Sequence, residues 1–222
     1  MIFRSAHSSL IGSRKKNEDY YLIDEKLGLF AVADGVGGGL HGDVASKMVI
    51  EILHRSRLSG IALRKCFYLA QEELLRFSRN TFGDALMGTT LTAIEFSNIG
   101  VQLSHVGDSR CYHLSGNIIR QLSEDHETFE ESMQNTVLSD YVGLPDDLVP
   151  LRVQTESFSF SGTQKFLLCT DGLHRQLSDR EIIVEIGRSD SDPSSIVKRL
   201  GLKATQKEES DNVTLVCVEV IF

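Results

Sequence analysis

The stretch Leu29-Phe30-Ala31-Val32-Ala33-Asp34-Gly35-Val36-Gly37-Gly38-Gly39 constrains the fold more than any other in the chain. Five apolar residues run into an acid, and four of the next five residues are glycine. An apolar run this short, bounded by turn residues, reads as a strand buried on both faces. The Asp34 carboxylate therefore sits at the end of a rigid element. The same grammar recurs from Leu103 to Asp108 and from Phe166 to Gly172, and in reverse at Asp211-Asn212, where the acid precedes the apolar run Val213 to Val218. Four strands are thus expected to begin or end on an acid. One Asp at a strand end is an ordinary turn residue, and four unrelated turn acids are one reading of the pattern. The other is a cluster, in which carboxylates repel one another and are held by cations. In Asp34-Gly35 and Asp171-Gly172 the glycine places no side chain in the way of a ligand.

With 222 residues and 41% hydrophobic content, the chain can fill one domain spanning residues 1–222 and is short for two. A formal net charge of -8 argues against a nucleic-acid partner, whose phosphates favour basic surfaces. The four cysteines, Cys66, Cys111, Cys169 and Cys217, form no CxxC pair, so buried reduced thiols and a reducing compartment are expected. The N-terminus lacks the apolar core of a signal peptide and no 18-residue apolar run occurs, which predicts a cytoplasmic protein with no membrane span. Only three prolines and no linker-like tract interrupt the chain.

In order, the pattern predicts a hairpin of Asp19 to Ile23 and Leu27 to Ala33, then amphipathic helices over Asp43 to Leu58 and Ile61 to Phe77. Strands follow over Thr89 to Phe96, Val101 to Val106, Arg110 to Leu114 and Ile118 to Leu122, joined by short turns such as Ser115-Gly116-Asn117. From Ser123 to Pro150 periodicity fails, with acids at 124, 125, 127, 130, 131, 140, 146 and 147, and an irregular mobile flap is expected. A strand pair, Arg152 to Phe160 with Gln164 to Thr170, precedes helices over Asp179 to Gly187 and Pro193 to Thr205 and a last strand from Asn212 to Ile221. Helices and antiparallel strands in separate blocks indicate an α+β fold. Strands apolar at every position need cover on both faces, which two stacked sheets with helices outside supply.

Gly37-Gly38-Gly39-Leu40-His41-Gly42 satisfies the G-x-G-x-x-G spacing of a dinucleotide loop. No acid stands about 20 residues later to hold a ribose, and Asp34 would face a pyrophosphate with like charge. The loop is therefore not read as a dinucleotide site.

Arg14-Lys15-Lys16-Asn17-Glu18-Asp19, Ala33-Asp34-Gly35-Val36-Gly37-Gly38, Gly42-Asp43-Val44-Ala45-Ser46, Met87-Gly88-Thr89-Thr90, Val106-Gly107-Asp108-Ser109-Arg110, Thr170-Asp171-Gly172-Leu173 and Asp211-Asn212-Val213-Thr214 resemble, in order, the successive motifs of the metal-dependent Ser/Thr protein phosphatases, the PPM or type 2C family. The resemblance spans residues 14 to 214 and implies a four-layer αββα sandwich of two antiparallel sheets flanked by helices. It further implies that Asp34 bridges two Mn²⁺ or Mg²⁺ ions, with the Gly35 carbonyl on one and Asp171 and Asp211 on the other. Glu18 and Asp19 would act through ion-bound waters, Asp108 with Asp171 would match a weaker third ion site, and Arg14 would hold the substrate phosphate. Arg14 lies in a basic triplet of the kind found in solvated turns, yet its planar fork suits two phosphate oxygens.

Two ions about 3.5–4 Å apart share a water, lower its pKa toward about 7 and aim the hydroxide at phosphorus. The implied activity is hydrolysis of phosphoserine and phosphothreonine in proteins, opposing a Ser/Thr kinase, by a monomer. The alternative is a weak or inactive phosphoprotein-binding regulatory module of the same fold. As in bacterial-type members, an apolar residue, Val36, follows the Asp-Gly, which leaves the leaving-group acid unassigned. The segment His126 to Leu144 is shorter than the flap of typical bacterial members. His126 and His174 are read as surface residues without a role.

Overall fold

A computed structural model describes residues 1–36, 41–83, 87–116, 118–132, 134–145, 150–187 and 192–222. In chain order the elements are β1 (Ile2–Leu10), β2 (Asp19–Asp24), β3 (Leu29–Asp34), α1 (Gly42–Leu58), α2 (Leu63–Phe82), β4 (Leu91–Ser97), β5 (Gly100–Val106), β6 (Arg110–Ser115) and β7 (Ile118–Gln121). They continue with β8 (Glu127–Glu130), β9 (Asn135–Leu138), β10 (Gln154–Phe158), β11 (Thr163–Cys169), α3 (Asp171–His174), α4 (Asp179–Ile186), α5 (Pro193–Thr205) and β12 (Val213–Ile221).

Two five-stranded antiparallel sheets form the centre, ordered β10-β5-β4-β3-β2 and β1-β12-β11-β6-β7. The unbroken apolar run of β3 follows from that layering. Leu29, Ala31 and Ala33 face a core shared with α1 and α2, while Phe30 and Val32 face the other sheet. On β11, Phe166 and Leu168 point into the same inter-sheet core, and Leu167 and Cys169 point to the layer of α3, α4 and α5. Each strand thus has two apolar faces, and the molecule is the expected αββα sandwich. All four cysteines are free and buried.

Several expectations are corrected. Strand β1 was not anticipated: Arg4, Ser5, His7, Ser8 and Ser9 blur its alternation, yet it pairs with β12 from Ile2↔Ile221 to Leu10↔Val213. The segments read as a strand pair, 152–160 and 164–170, lie in different sheets, β10 against β5 and β11 between β12 and β6. Helix α2 runs five residues past the expected Phe77, to Phe82. The segment expected to be an irregular flap contains the antiparallel hairpin β8–β9. Of the four acids, only Asp34 is a strand residue; Asp108 follows β5, Asp171 opens α3 and Asp211 precedes β12. The glycine loop at 37–40, Asn117 and the acids at 146 and 147 lie outside the described residues.

Candidate active site

Strand register brings the first two acids together. In the β2–β3 pair Asp19 stands directly opposite Asp34. Asp19 is buried, and its Oδ2 accepts a hydrogen bond from Thr170 Oγ1 at 2.9 Å, which ties the first sheet to the end of β11. The Asp34 backbone is clamped: its N–H donates to Thr90 Oγ1 (2.9 Å), and its carbonyl accepts from Thr90 N–H and from the Thr89 hydroxyl, both at 2.8 Å. Gly35 N–H donates to the Glu18 carbonyl (3.0 Å), and Glu18 N–H donates to Asn212 Oδ1 (2.8 Å). Asn212 Nδ2 in turn donates to the carbonyls of Ile11 and Lys16, stitching the Arg14 loop beside Asp211.

Arg14, Glu18, Asp34, Gly35, Asp108, Asp171 and Asp211 all line one cleft of 790 Å³, walled by Thr136, Val137 and Leu138 of β9 and by Tyr141. Asp19 lies behind that lining, against Asp34 and Asp171. The structure therefore brings together every predicted site residue from segments far apart in the chain. The glycines work differently from the expectation that they leave room for a ligand. A Cβ on Gly35 would meet the Gly42 backbone, and one on Gly172 would meet the Asn212 carbonyl, so both admit neighbouring backbone.

The concentration of acids shows in their ionisation. Burial first, then the charges of Asp19, Asp171 and Asp108, raise the Asp34 pKa well above the usual carboxylate range. Burial likewise pushes Asp19 up to about 7 and Asp171 up to about 6, with the Asp108 charge adding to the latter and Arg175 opposing it. The Oδ1 atoms of Asp19 and Asp171 are buried without a hydrogen-bond donor. Among the described residues, no three His, Cys, Asp or Glu side chains converge in a ready chelating arrangement. Guanidinium groups lie among the oxygens: Arg14 Nη2 is 2.5 Å from Asp211 Oδ2, and Arg175 Nε is 2.7 Å from Asp171 Oδ2. Unpartnered, buried carboxylate oxygens in an all-oxygen donor set fit hard divalent cations such as Mg²⁺ and Mn²⁺.

Neither histidine is a plain surface residue. His174 is half-buried, its Nε2 donates to the Asp108 carbonyl at 2.9 Å, and burial lowers its pKa to about 4. His126 is partly buried, and its backbone N–H donates to the Gly107 carbonyl (2.8 Å). Arg175 and Glu127 join the carboxylate cluster although no motif marks them. A signal for Arg175 existed in its place four residues after Asp171, the spacing of a helical acid–base pair.

An αββα sandwich whose sheet seam opens on a carboxylate-lined, arginine-edged cleft is the framework of a metal-dependent phosphatase. Residues 8–194 match the family Protein phosphatase 2C. The serine/threonine phosphatase stp of Listeria monocytogenes is 29% identical over 238 residues, an alignment covering 98% of this chain and 94% of that protein. The crystal structure of the Mycobacterium tuberculosis serine/threonine phosphatase PstP/Ppp is similar with a TM-score of 0.83 at 26% identity, covering 100% of both chains. The catalytic domain of PstP in complex with two manganese ions is similar with a TM-score of 0.78 at 27% identity, covering 99% of both. The chain belongs to the protein phosphatase 2C family and is a protein Ser/Thr phosphatase.

Proposed function

We propose that this enzyme hydrolyses phosphoserine and phosphothreonine in proteins with two divalent ions, Mn²⁺ or Mg²⁺, held by Asp34, the Gly35 main chain, Asp171 and Asp211, and that it opposes a Ser/Thr kinase. The observation that carries the reading is the meeting of Asp19, Asp34 and Asp171 at the sheet seam with two buried carboxylate oxygens that no hydrogen bond satisfies. Bound there, such ions would supply a water acidic enough to lose its proton near neutral pH. The chain supplies the rest. The backbone clamp on Asp34 by Thr89 and Thr90 fixes the central carboxylate, so little reorganisation accompanies reaction. Asn212 holds the Arg14 loop at the cleft edge, where the guanidinium can exchange the Asp211 oxygen for phosphate oxygens in the same planar fork. Lys16 is paired with Asp43 at 2.5 Å, whereas Arg14 lines the cleft beside Asp211. Among the described residues no helix is long and apolar enough to cross a membrane.

The test is hydrolysis of p-nitrophenyl phosphate and of a phosphothreonine peptide, with Mn²⁺ or with EDTA, by the wild type, Asp34→Ala and Asp171→Ala. Turnover that needs the ion and falls on the order of 10²–10³-fold or more in each variant supports the reading. No turnover by folded, Mn²⁺-loaded wild type would overturn it in favour of a phosphoprotein-binding module.

A further inference from the structure

Arg175 has no task in the hydrolytic reading, yet it makes the densest set of ion pairs described in the cleft. Its Nη2 lies 2.9 Å from Asp108 Oδ2 and 2.6 Å from Glu127 Oε1, and its Nε lies 2.7 Å from Asp171 Oδ2. Those three acids come from three places in the fold: the turn after β5, the start of α3 and the first residue of β8. A lone exposed ion pair contributes little, but this one is neither lone nor fully exposed. The Asp108 side chain is only 5% exposed, and a buried charge needs a partner. Its backbone is fixed as well, since His174 Nε2 holds the Asp108 carbonyl.

Two consequences follow from that geometry. A cation placed between Asp108 and Asp171 would compete with a guanidinium already bonded to both. In addition, the hairpin that walls the cleft through Thr136, Val137 and Leu138 is joined to the body at Glu127 by this same side chain. We propose that Arg175 is a positioning residue acting as a built-in cation: it closes the Asp108 side of the cluster to a third divalent ion and latches the β8–β9 hairpin across the cleft through Glu127. The first half rests on the two-ion reading above, and the second does not.

The experiment titrates Mn²⁺ into the full chain, counting bound ions from the loss of the free-ion EPR signal, for the wild type, Arg175→Met, Arg175→Lys and Glu127→Gln. Hydrogen exchange across residues 127–138 is measured on the same proteins without metal. The wild type, Arg175→Lys and Glu127→Gln are expected to bind two ions and Arg175→Met three. Exchange in the hairpin should rise about ten-fold in Arg175→Met and Glu127→Gln, the effect of losing a charge-assisted hydrogen bond. A wild type that binds three ions, or a folded Arg175→Met that binds two or whose hairpin exchanges at the wild-type rate, overturns the proposal. Should Arg175→Met not fold, wild-type exchange in Glu127→Gln overturns it instead. A wild type that takes up no Mn²⁺ strikes the two-ion reading, and hairpin exchange in the metal-free proteins then decides the latch separately.

Discussion

At Gly35 a methyl group would run into the backbone carbon and oxygen of Gly42, because α1 begins against the end of β3. Neither atom belongs to a flexible side chain that could turn away, so Gly35→Ala must push α1 or Asp34 aside. Overpacking of this kind costs about 1–3 kcal/mol, and displacing a positioning group by about 1 Å lowers turnover about 10²-fold. Urea unfolding and Mn²⁺-dependent hydrolysis should both register the change, and wild-type values in both would show that the helix start yields freely. The position of Asp34 itself was legible, since five apolar residues ending on an acid have few places to go. Glu18, Asp108, Asp171 and Asp211 were legible through their motifs. Arg175 was legible only as the residue four places after Asp171; nothing in the sequence marks Asp108 and Glu127 as its partners, which the tertiary fold places on its other side.

Elements were readable where burial is two-sided and less so where one face meets solvent. β3 and the second half of β11 are covered on both faces and carry the unbroken apolar runs Leu29 to Ala33 and Phe166 to Cys169, and β12 is buried from Val213 to Val218 with only the polar Thr214 among its apolar residues. β1 is an edge strand whose residues are exposed or half-buried, and its polar residues hide the period. The hairpin β8–β9 has the same weakness, being two four-residue strands outside the two main sheets, with Glu127, Thr128 and Glu130 polar in β8. β1 nevertheless contributes to the core through Phe3, whose ring packs 5.6 Å from Phe30 and 5.5 Å from Phe96 between the sheets. Phe3→Ala should therefore destabilise by about 2 kcal/mol, below the ~3–5 kcal/mol of a fully buried phenylalanine because Phe3 is half-buried. The check is the urea midpoint at constant m; a shift within experimental error would mean that β1 is held by its backbone pairing to β12 alone.

The three apolar clusters are separated only by the two sheets, whose strands contribute side chains to clusters on both faces. We propose on that ground that residues 1–222 unfold as one domain, with far-UV and tyrosine signals following a single transition. The same cooperativity makes a buried histidine felt by the whole molecule. His105 on β5 is fully buried; its Nε2 must carry the proton, because it faces the Glu124 carbonyl at 3.0 Å, and Nδ1 meets the Thr92 hydroxyl at 2.8 Å. Burial first, and then neighbouring His126, lower its pKa to about 3 in the folded protein. An unfolded histidine titrates near about 6.5. Above that pH both states are neutral and this residue costs nothing. As pH falls from about 6.5 toward about 3 the unfolded chain takes up a proton that the folded one refuses, which removes up to about 1.4 kcal/mol of stability per pH unit. His105→Gln should begin less stable at pH 7, having lost packing and a matched hydrogen-bond pair, but its urea midpoint should fall less steeply between pH 6.5 and pH 4. The difference between the two curves separates His105 from the carboxylates of the cleft, which titrate in both proteins. Parallel curves would show that the folded state admits the proton at His105, and that acid sensitivity of the whole molecule arises elsewhere.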